Sequence, residues 1–191
     1  MEEFEIKFLE VDVPSLEKKL LDIGATKVGE YDYSRAIFDY PDYKMREKHS
    51  WLRLRTDGIE STLTYKQSIN EKLNNGEIKS VGMKEIEVKV DDYEKTYKLL
   101  KAIGFIARIE EKNKRVRYTK DDVVFDIDFW PFIPPFLEIE SVSFEKAENG
   151  AKELGFDPKD SFENSVKKVY KKYGYDIDDY SSITFEGMKK K

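Results

Sequence analysis

The residues best suited to chemistry in this chain are three Glu-x-Glu pairs, each followed by a short amphipathic helix that ends at a glycine. The first is Glu3-Phe4-Glu5-Ile6-Lys7, with Leu16 to Leu21 and Gly24 behind it. The second is Glu85-Ile86-Glu87-Val88-Lys89, with Tyr97 to Leu100 and Gly104, and the third is Glu138-Ile139-Glu140, with Ala147 to Leu154 and Gly155. Strand residues two apart share a face, so each pair sets two carboxylates on one side and apolar residues on the other. Such carboxylates are costly as mere structure and useful as ligands of a hard divalent cation.

Other strands carry charge with the same period. Arg53 and Arg55 alternate with Leu52 and Leu54, Arg115 and Arg117 flank Val116, Asp126 and Asp128 alternate with Phe125, Ile127 and Phe129, and Lys66 follows Leu63-Thr64-Tyr65. On any single strand a solvated face explains this pattern. Taken together the strands say more. Amphipathic helices must bury their apolar stripes, and the apolar strand faces are the available partner. The charged faces then meet across the interior of a curved or closed sheet. A dry interior of that kind would be prohibitively costly, whereas a water-filled tunnel holding a polyanion and a divalent metal is reasonable. Lys7, Arg53, Arg55, Lys66, Arg115 and Arg117 are the candidate phosphate ligands. Glu3, Glu5, Glu85, Glu87, Asp126, Asp128, Glu138 and Glu140 are the candidate metal ligands, with Asp126 and Asp128 sharing one role and Asp128 preferred. Lys112 and Lys114 compete with Arg115 and Arg117 for the inward face, and Asn113 falls where a lysine would be convenient.

Composition narrows the options. At 191 residues the chain reads as one domain over residues 1–175 with a polar C-terminal tail at 176–191. Charged residues are 38% of the total, hydrophobic ones 39%, and the net charge is -5, which suits a soluble protein and speaks against duplex nucleic acid or membrane as a partner. The Met1-Glu2-Glu3 start lacks the basic and apolar regions of a signal peptide, so a cytoplasmic location is expected. There is no cysteine and a single histidine, His49, so disulfides, thiolate zinc sites and histidine-centred triads are not expected. Any metal should be oxygen-ligated, magnesium or manganese before zinc.

The elements that position these residues follow from period and punctuation. Strands are expected over 2–10, 27–40, 51–56, 61–67, 84–90, 105–119, 122–129 and 136–143, and helices over 14–22, 92–102, 144–154 and 161–173. Asp57-Gly58 signals a hairpin turn. Residues 41–50 read as a mobile polar loop and 68–83 as a long polar insertion. Tyr33, Tyr65, Tyr118 and Trp130 could stack a base, although strand aromatics usually pack, and His49 and Trp51 could reach a ligand if the loop beside them closes. No Walker-type or Gly-x-Gly-x-x-Gly loop exists, so phosphate must be held by side chains.

This ordered set resembles the CYTH superfamily, the triphosphate tunnel metalloenzymes. The resemblance rests on Glu3, Glu5 and Lys7 of Glu-x-Glu-x-Lys, on Arg53 and Arg55, on Lys66 of Leu-Thr-Tyr-Lys, on Glu85 and Glu87, and on Asp128, Glu138 and Glu140 after a rigid turn. It runs from residue 3 to about residue 173. It implies an α+β fold, an antiparallel closed eight-stranded β tunnel flanked by helices, with Mg²⁺ or Mn²⁺ as cofactor and a triphosphate such as ATP as substrate. It implies Glu5, Lys7 and Glu87 as catalytic residues, and leaves room for a homodimer. The Ile6-Lys7-Phe8 context is similar to the class IV adenylyl cyclase type rather than to the tripolyphosphatases, which typically have Arg-Lys-Phe there. The cyclases also carry a His-Phe pair before Glu-x-Glu-x-Lys, and none precedes Glu3. The expectation is therefore cleavage of a phosphoanhydride, leaning to ATP cyclisation, with hydrolysis of a triphosphate as the alternative and non-catalytic binding as a third reading. For cyclisation, segments 41–50 and 68–83 are expected to close over the nucleoside.

Overall fold

The computed structural model describes residues 4–72, 78–162 and 165–191; Glu3 and the Asn74-Asn75-Gly76 turn lie outside the described residues. Each Glu-x-Glu unit folds the same way. Strands β1 (Phe4–Leu9), β5 (Ile78–Val90) and β8 (Phe136–Ser141) are followed by ten-residue helices α1 (Val13–Asp22), α3 (Tyr93–Ala102) and α4 (Phe144–Glu153). Asp12, Asp92 and Ser143 cap the three helices by accepting from the amides of Ser15, Lys95 and Lys146. Gly24, Gly104 and Gly155 end them at φ 83°, 102° and 81°, a left-handed conformation that costs other residues a clash. Each glycine lets the next amide return to a carbonyl five residues back, from Ala25 to Leu20, Phe105 to Leu100 and Phe156 to Ala151, at 2.9 to 3.0 Å.

The remaining strands are β2 (Thr26–Asp39), β3 (Ser50–Thr56), β4 (Ser61–Lys72), β6 (Ile106–Lys120), β7 (Val123–Phe129), β9 (Tyr180–Thr184) and β10 (Gly187–Lys190); the short helices α2 (Lys44–Glu47) and α5 (Val166–Lys172) complete the set. The ladder runs β1-β8-β7-β6-β2-β3-β4-β5, antiparallel throughout. Asp57-Gly58 makes the expected turn between β3 and β4: Asp57 Oδ1 accepts the Ile59 and Glu60 amides, and Gly58 takes φ 89°. Helices α1 and α4 bury Leu16, Leu20, Ala147 and Ala151 on the outer face made by Ile6, Phe125, Ile127, Leu137 and Ile139. Helix α3 covers Ala36, Phe38 and Leu54 of β2 and β3. On β1, β2, β3, β7 and β8 the apolar faces thus look outward to helices and the charged faces inward, while Ile86 and Val88 of β5 are exposed.

Three expectations are corrected. The segment 41–50 is not a loop throughout: fully buried Asp39 accepts the amides of Tyr40, Met45 and Arg46, and Lys44–Glu47 folds as α2 with Met45 buried. The 68–83 insertion mostly extends the β4–β5 ladder, with Ser68 opposite Met83 and a register shift after Ile69. Residues beyond Gly174 carry an ordered hairpin, β9–β10, of which β9 lies parallel to β6 and buries Ile183 completely.

One acidic side chain ties this hairpin to the rest. Asp178 accepts from Arg46 at 2.7 Å, from Arg108 at 3.5 Å and from Lys167. Burial opposes its charge, but Lys167, Arg46 and Arg108 outweigh burial and hold its carboxyl below the ordinary range. A depressed pKa stabilises the fold above the unfolded-state value of about 3.9, and that stabilisation disappears as pH falls through the folded-state value. Asp178→Asn is therefore expected to lower the melting temperature at pH 7 by roughly 2–6 °C, the worth of about 1–2 kcal/mol in a domain of this size. The deficit should close in melts recorded at pH 3; an equal deficit at both pH values would remove the ionic explanation.

Candidate active site in the sheet interior

On five strands the inward register changes from charged to apolar at the same end of the sheet. Lys7 is followed two residues on by Leu9 and Arg35 by Ile37; Asp128 is followed by Trp130; Glu138 is preceded by Phe136 and Glu111 by Ile109. These five apolar residues pack with Val169 and Tyr170 of α5 and Ile183 of β9 in one cluster. Tyr170 donates to the Pro131 carbonyl at 2.9 Å, and its ring meets Trp130 edge-on at 6.1 Å. The C-terminal elements therefore plug the sheet interior, which is a blind, charged cup rather than an open pipe.

One wall of the cup is acidic and internally paired. Lys7 Nζ lies 2.6 Å from Glu5 Oε1 and 3.1 Å from Glu138 Oε2. Arg115 donates to both oxygens of Asp128 at 2.6 and 2.7 Å, to Asp126 at 2.6 Å and to Glu138 at 3.3 Å. Arg117 forks onto Asp126 with two bonds of 2.7 Å. Burial opposes the charge of Lys7 and of Arg115, but Glu138 and Glu5 raise the first and Asp128 and Glu138 the second. Glu138 is pulled down to about 2, because Lys7 and Arg115 outweigh its burial. Glu5 moves the other way, raised by burial and by Glu138. Asp126, Glu138 and Glu140 each offer one oxygen within 4.8 Å of the others. An all-oxygen, all-carboxylate set of this size fits a hard divalent cation, and exposed His49 stands away from it on the segment before β3.

The facing wall is basic and under-compensated. Arg53 reaches Thr64 Oγ1 at 3.4 Å and Glu87 only at 3.6 Å, while Thr64 donates to Glu87 at 2.6 Å. Burial, helped by Arg55 and Arg35, pushes Arg53 down to about 10. Lys66 is also lowered, by burial and by Arg53, although it pairs with Glu85. Arg55 lies 4.8 Å from the Tyr33 ring. Cations whose charge is opposed by burial and by neighbouring cations are stabilised by an incoming anion.

The structure thus brings Glu5, Lys7, Arg53, Arg55, Lys66, Glu85, Glu87, Arg115, Arg117, Asp126, Asp128, Glu138 and Glu140 to one interior. It divides their surroundings, though. Asp126 rather than Asp128 joins the three-carboxylate group, and Asp128 is engaged at both oxygens by Arg115. Arg115 and Arg117 are held by carboxylates, whereas Arg53 and Lys66 are less fully matched. Lys112 and Lys114 lie on the outer face, paired with Glu186 and Asp32, and Asn113 takes the inward position. Tyr118 packs in the outer core and donates to Glu17, Tyr65 donates to Gln67, and Trp130 belongs to the plug. Sequence reasoning missed Arg35 and Glu111, inward residues directly opposite each other on β2 and β6. The signal was present: Tyr33, Arg35 and Ile37 alternate with Ser34, Ala36 and Phe38, and the apolar Ala36 and Phe38 mark the outer face.

A sheet curled so that carboxylates face cations across its interior, with helices outside, defines a class of charged-lumen β proteins. The chain belongs to the CYTH domain family, whose profile matches residues 1–166. A Methanocaldococcus jannaschii protein named "Putative adenylate cyclase" is 29% identical over 140 residues, 73% of this chain and 77% of the relative. Among solved structures, a Vibrio parahaemolyticus protein described as a "putative adenylate cyclase" superposes with a TM-score of 0.73 at 14% identity, covering 90% of this chain and 98% of that one. A Hippeastrum protein, described as a "putative adenylyl cyclase" with a dominant triphosphatase activity, does so at 0.61 and 16% identity, covering 92% and 97%. At these identities the two structures establish the fold. Among the described residues, no helix is long and apolar enough to cross a membrane.

Proposed function

We propose that the cup binds a linear triphosphate and cleaves one of its phosphoanhydride bonds with the help of Mg²⁺ or Mn²⁺. The observation that carries this reading is the Asp126, Glu138 and Glu140 group standing opposite a wall of under-compensated cations. Members of the family typically act on triphosphates, which supports it. Asp126, Glu138 and Glu140 would hold the cation, which when bound would supply charge neutralisation at the phosphate oxygens. Arg53, Arg55 and Lys66 bind the remaining oxygens and keep the phosphate chain in line. Lys7 orients Glu5 and Glu138. Glu5, half exposed and paired with Lys7, would take the proton of the attacking hydroxyl.

Which oxygen attacks decides the product. In cyclisation the ribose 3′-oxygen bonds to the α-phosphorus, its proton goes to the base, the bond to the bridging oxygen breaks, and pyrophosphate leaves. The relative's name and the Ile6-Lys7-Phe8 context support this reading for ATP. In hydrolysis, water attacks the terminal phosphorus and orthophosphate is released.

The deciding experiment incubates the protein with ATP, 3′-deoxy-ATP or tripolyphosphate and either metal, then separates products by chromatography. Cyclic AMP from ATP, with no reaction of 3′-deoxy-ATP, is the cyclase result. Orthophosphate from tripolyphosphate at least as fast as from ATP is the triphosphatase result. No turnover of any of the three would sink the proposal.

A further inference from the structure

Arg35 occupies the floor of the cup. It lies on β2 directly across from Arg55 of β3 on one side and Glu111 of β6 on the other. The next inward residue on its strand, Ile37, already packs into the plug. Its guanidinium sits 4.7 Å from the plug residue Trp130 and 5.8 Å from Tyr33, whose ring also faces Arg55 at 4.8 Å. It donates to the Asn113 side chain, while its Nε, like that of Arg53, is buried without a hydrogen-bond partner.

This placement is poor as a purely structural device. Like charges directly opposite on neighbouring strands are destabilising, and Arg35 lies opposite Arg55, with Arg53 the next inward residue of β3 toward the plug, opposite Ile37. Burial lowers the proton affinity of Arg35, Arg115 and Arg55 add to that, and Glu111 and Asp128 only partly offset it. Two aromatic rings, meanwhile, hold the guanidinium plane in place. Three forks fixed around a blind floor match the geometry of a phosphoryl group with three terminal oxygens better than that of a bridging phosphate.

We propose that Arg35, with Arg53 and Arg55, seats the terminal phosphate of the substrate at the closed end of the cup, so that only chains with a free phosphate end bind fully. This rests on the triphosphate reading above and adds to it a direction of entry and a requirement for an uncapped end. The C-terminal plug supplies the stop, because a phosphate chain cannot continue past Trp130, Phe136 and Tyr170. Asn113 orients the Arg35 fork, and Glu111 keeps the floor from carrying three uncompensated charges when it holds no anion.

The test compares calorimetric binding of tripolyphosphate, ATP and the γ-methyl ester of ATP by wild-type protein and Arg35→Gln. Wild type should bind the ester about 10- to 100-fold more weakly than ATP, the usual worth of a charge-assisted bond expressed as affinity. Arg35→Gln should lose about the same factor for ATP and tripolyphosphate, and its penalty for the ester should largely vanish, because cap and substitution remove the same contact. Equal binding of ATP and its ester by wild type, or an undiminished ester penalty in Arg35→Gln, overturns the proposal. If Arg35→Gln does not fold, Arg35→Lys takes its place: it keeps the charge but not the fork, so a reduced ester penalty supports the seat and an unchanged one refutes it. Failure of wild type to bind ATP and tripolyphosphate would instead refute the underlying triphosphate reading.

Discussion

Chelation with EDTA is expected to abolish triphosphate cleavage by this protein, and Mg²⁺ or Mn²⁺ to restore it. Glu140→Gln should cut turnover roughly 10²- to 10³-fold at saturating metal, because it removes one charge from the three-carboxylate group while keeping its shape. The loss should appear in kcat and be eased by raising the metal concentration, since a weakened site fills at higher metal. Full turnover in metal-free buffer, or full turnover by Glu140→Gln, would remove the metal from the proposal.

Two arginines that look alike in sequence should then behave in opposite ways. Arg115→Ala strands Asp128, which is wholly buried, and takes one of the cationic partners from each of Asp126 and Glu138, leaving them Arg117 and Lys7. Breaking a buried ion network from one side costs roughly 3–5 kcal/mol, a large part of a typical domain's stability, so this variant should melt far lower or fail to fold. Arg53→Ala removes a cation that neighbouring cations destabilise. Its melting temperature should hold or rise, while binding of tripolyphosphate weakens by roughly 2 kcal/mol. Thermal melts paired with calorimetry separate the outcomes. If Arg53→Ala unfolds and Arg115→Ala does not, the division of the cup into a paired wall and a receptive one is wrong.

Much of this arrangement was legible in the sequence, for identifiable reasons. Period-two charge on strands and apolar stripes on helices have one compact solution, and the glycines at 24, 104 and 155 punctuate it in a way local sterics enforce. The inward set of Glu5, Lys7, Arg53, Lys66, Asp126 and Glu138 followed from alternation alone. Which cation faces which anion did not follow. That depends on strand register, which places Arg115 opposite Asp128 and Arg117 opposite Asp126, and alternation says nothing about register. Asp39 hid its role because an Asp that gathers amides six and seven residues on leaves no periodic trace. The C-terminal hairpin was read as a tail because its apolar residues Ile177, Tyr180, Ile183 and Met188 are scattered through a polar stretch, and Ile183 alone is fully buried.

Among the described residues the backbone ladder stops at β1 on one side and β5 on the other, and the charge of Lys66 on β4 is felt across the seam by Glu5 and Glu138. The result is a cuff with a clasp rather than a welded ring. Salt loosens clasps of this kind by screening them, so grip on an anion should slacken with ionic strength for two reasons at once. As a phosphate ligand of the proposed site, Lys66 would also be the clasp that the anion undoes. Filling the cuff and letting it widen would then be a single event.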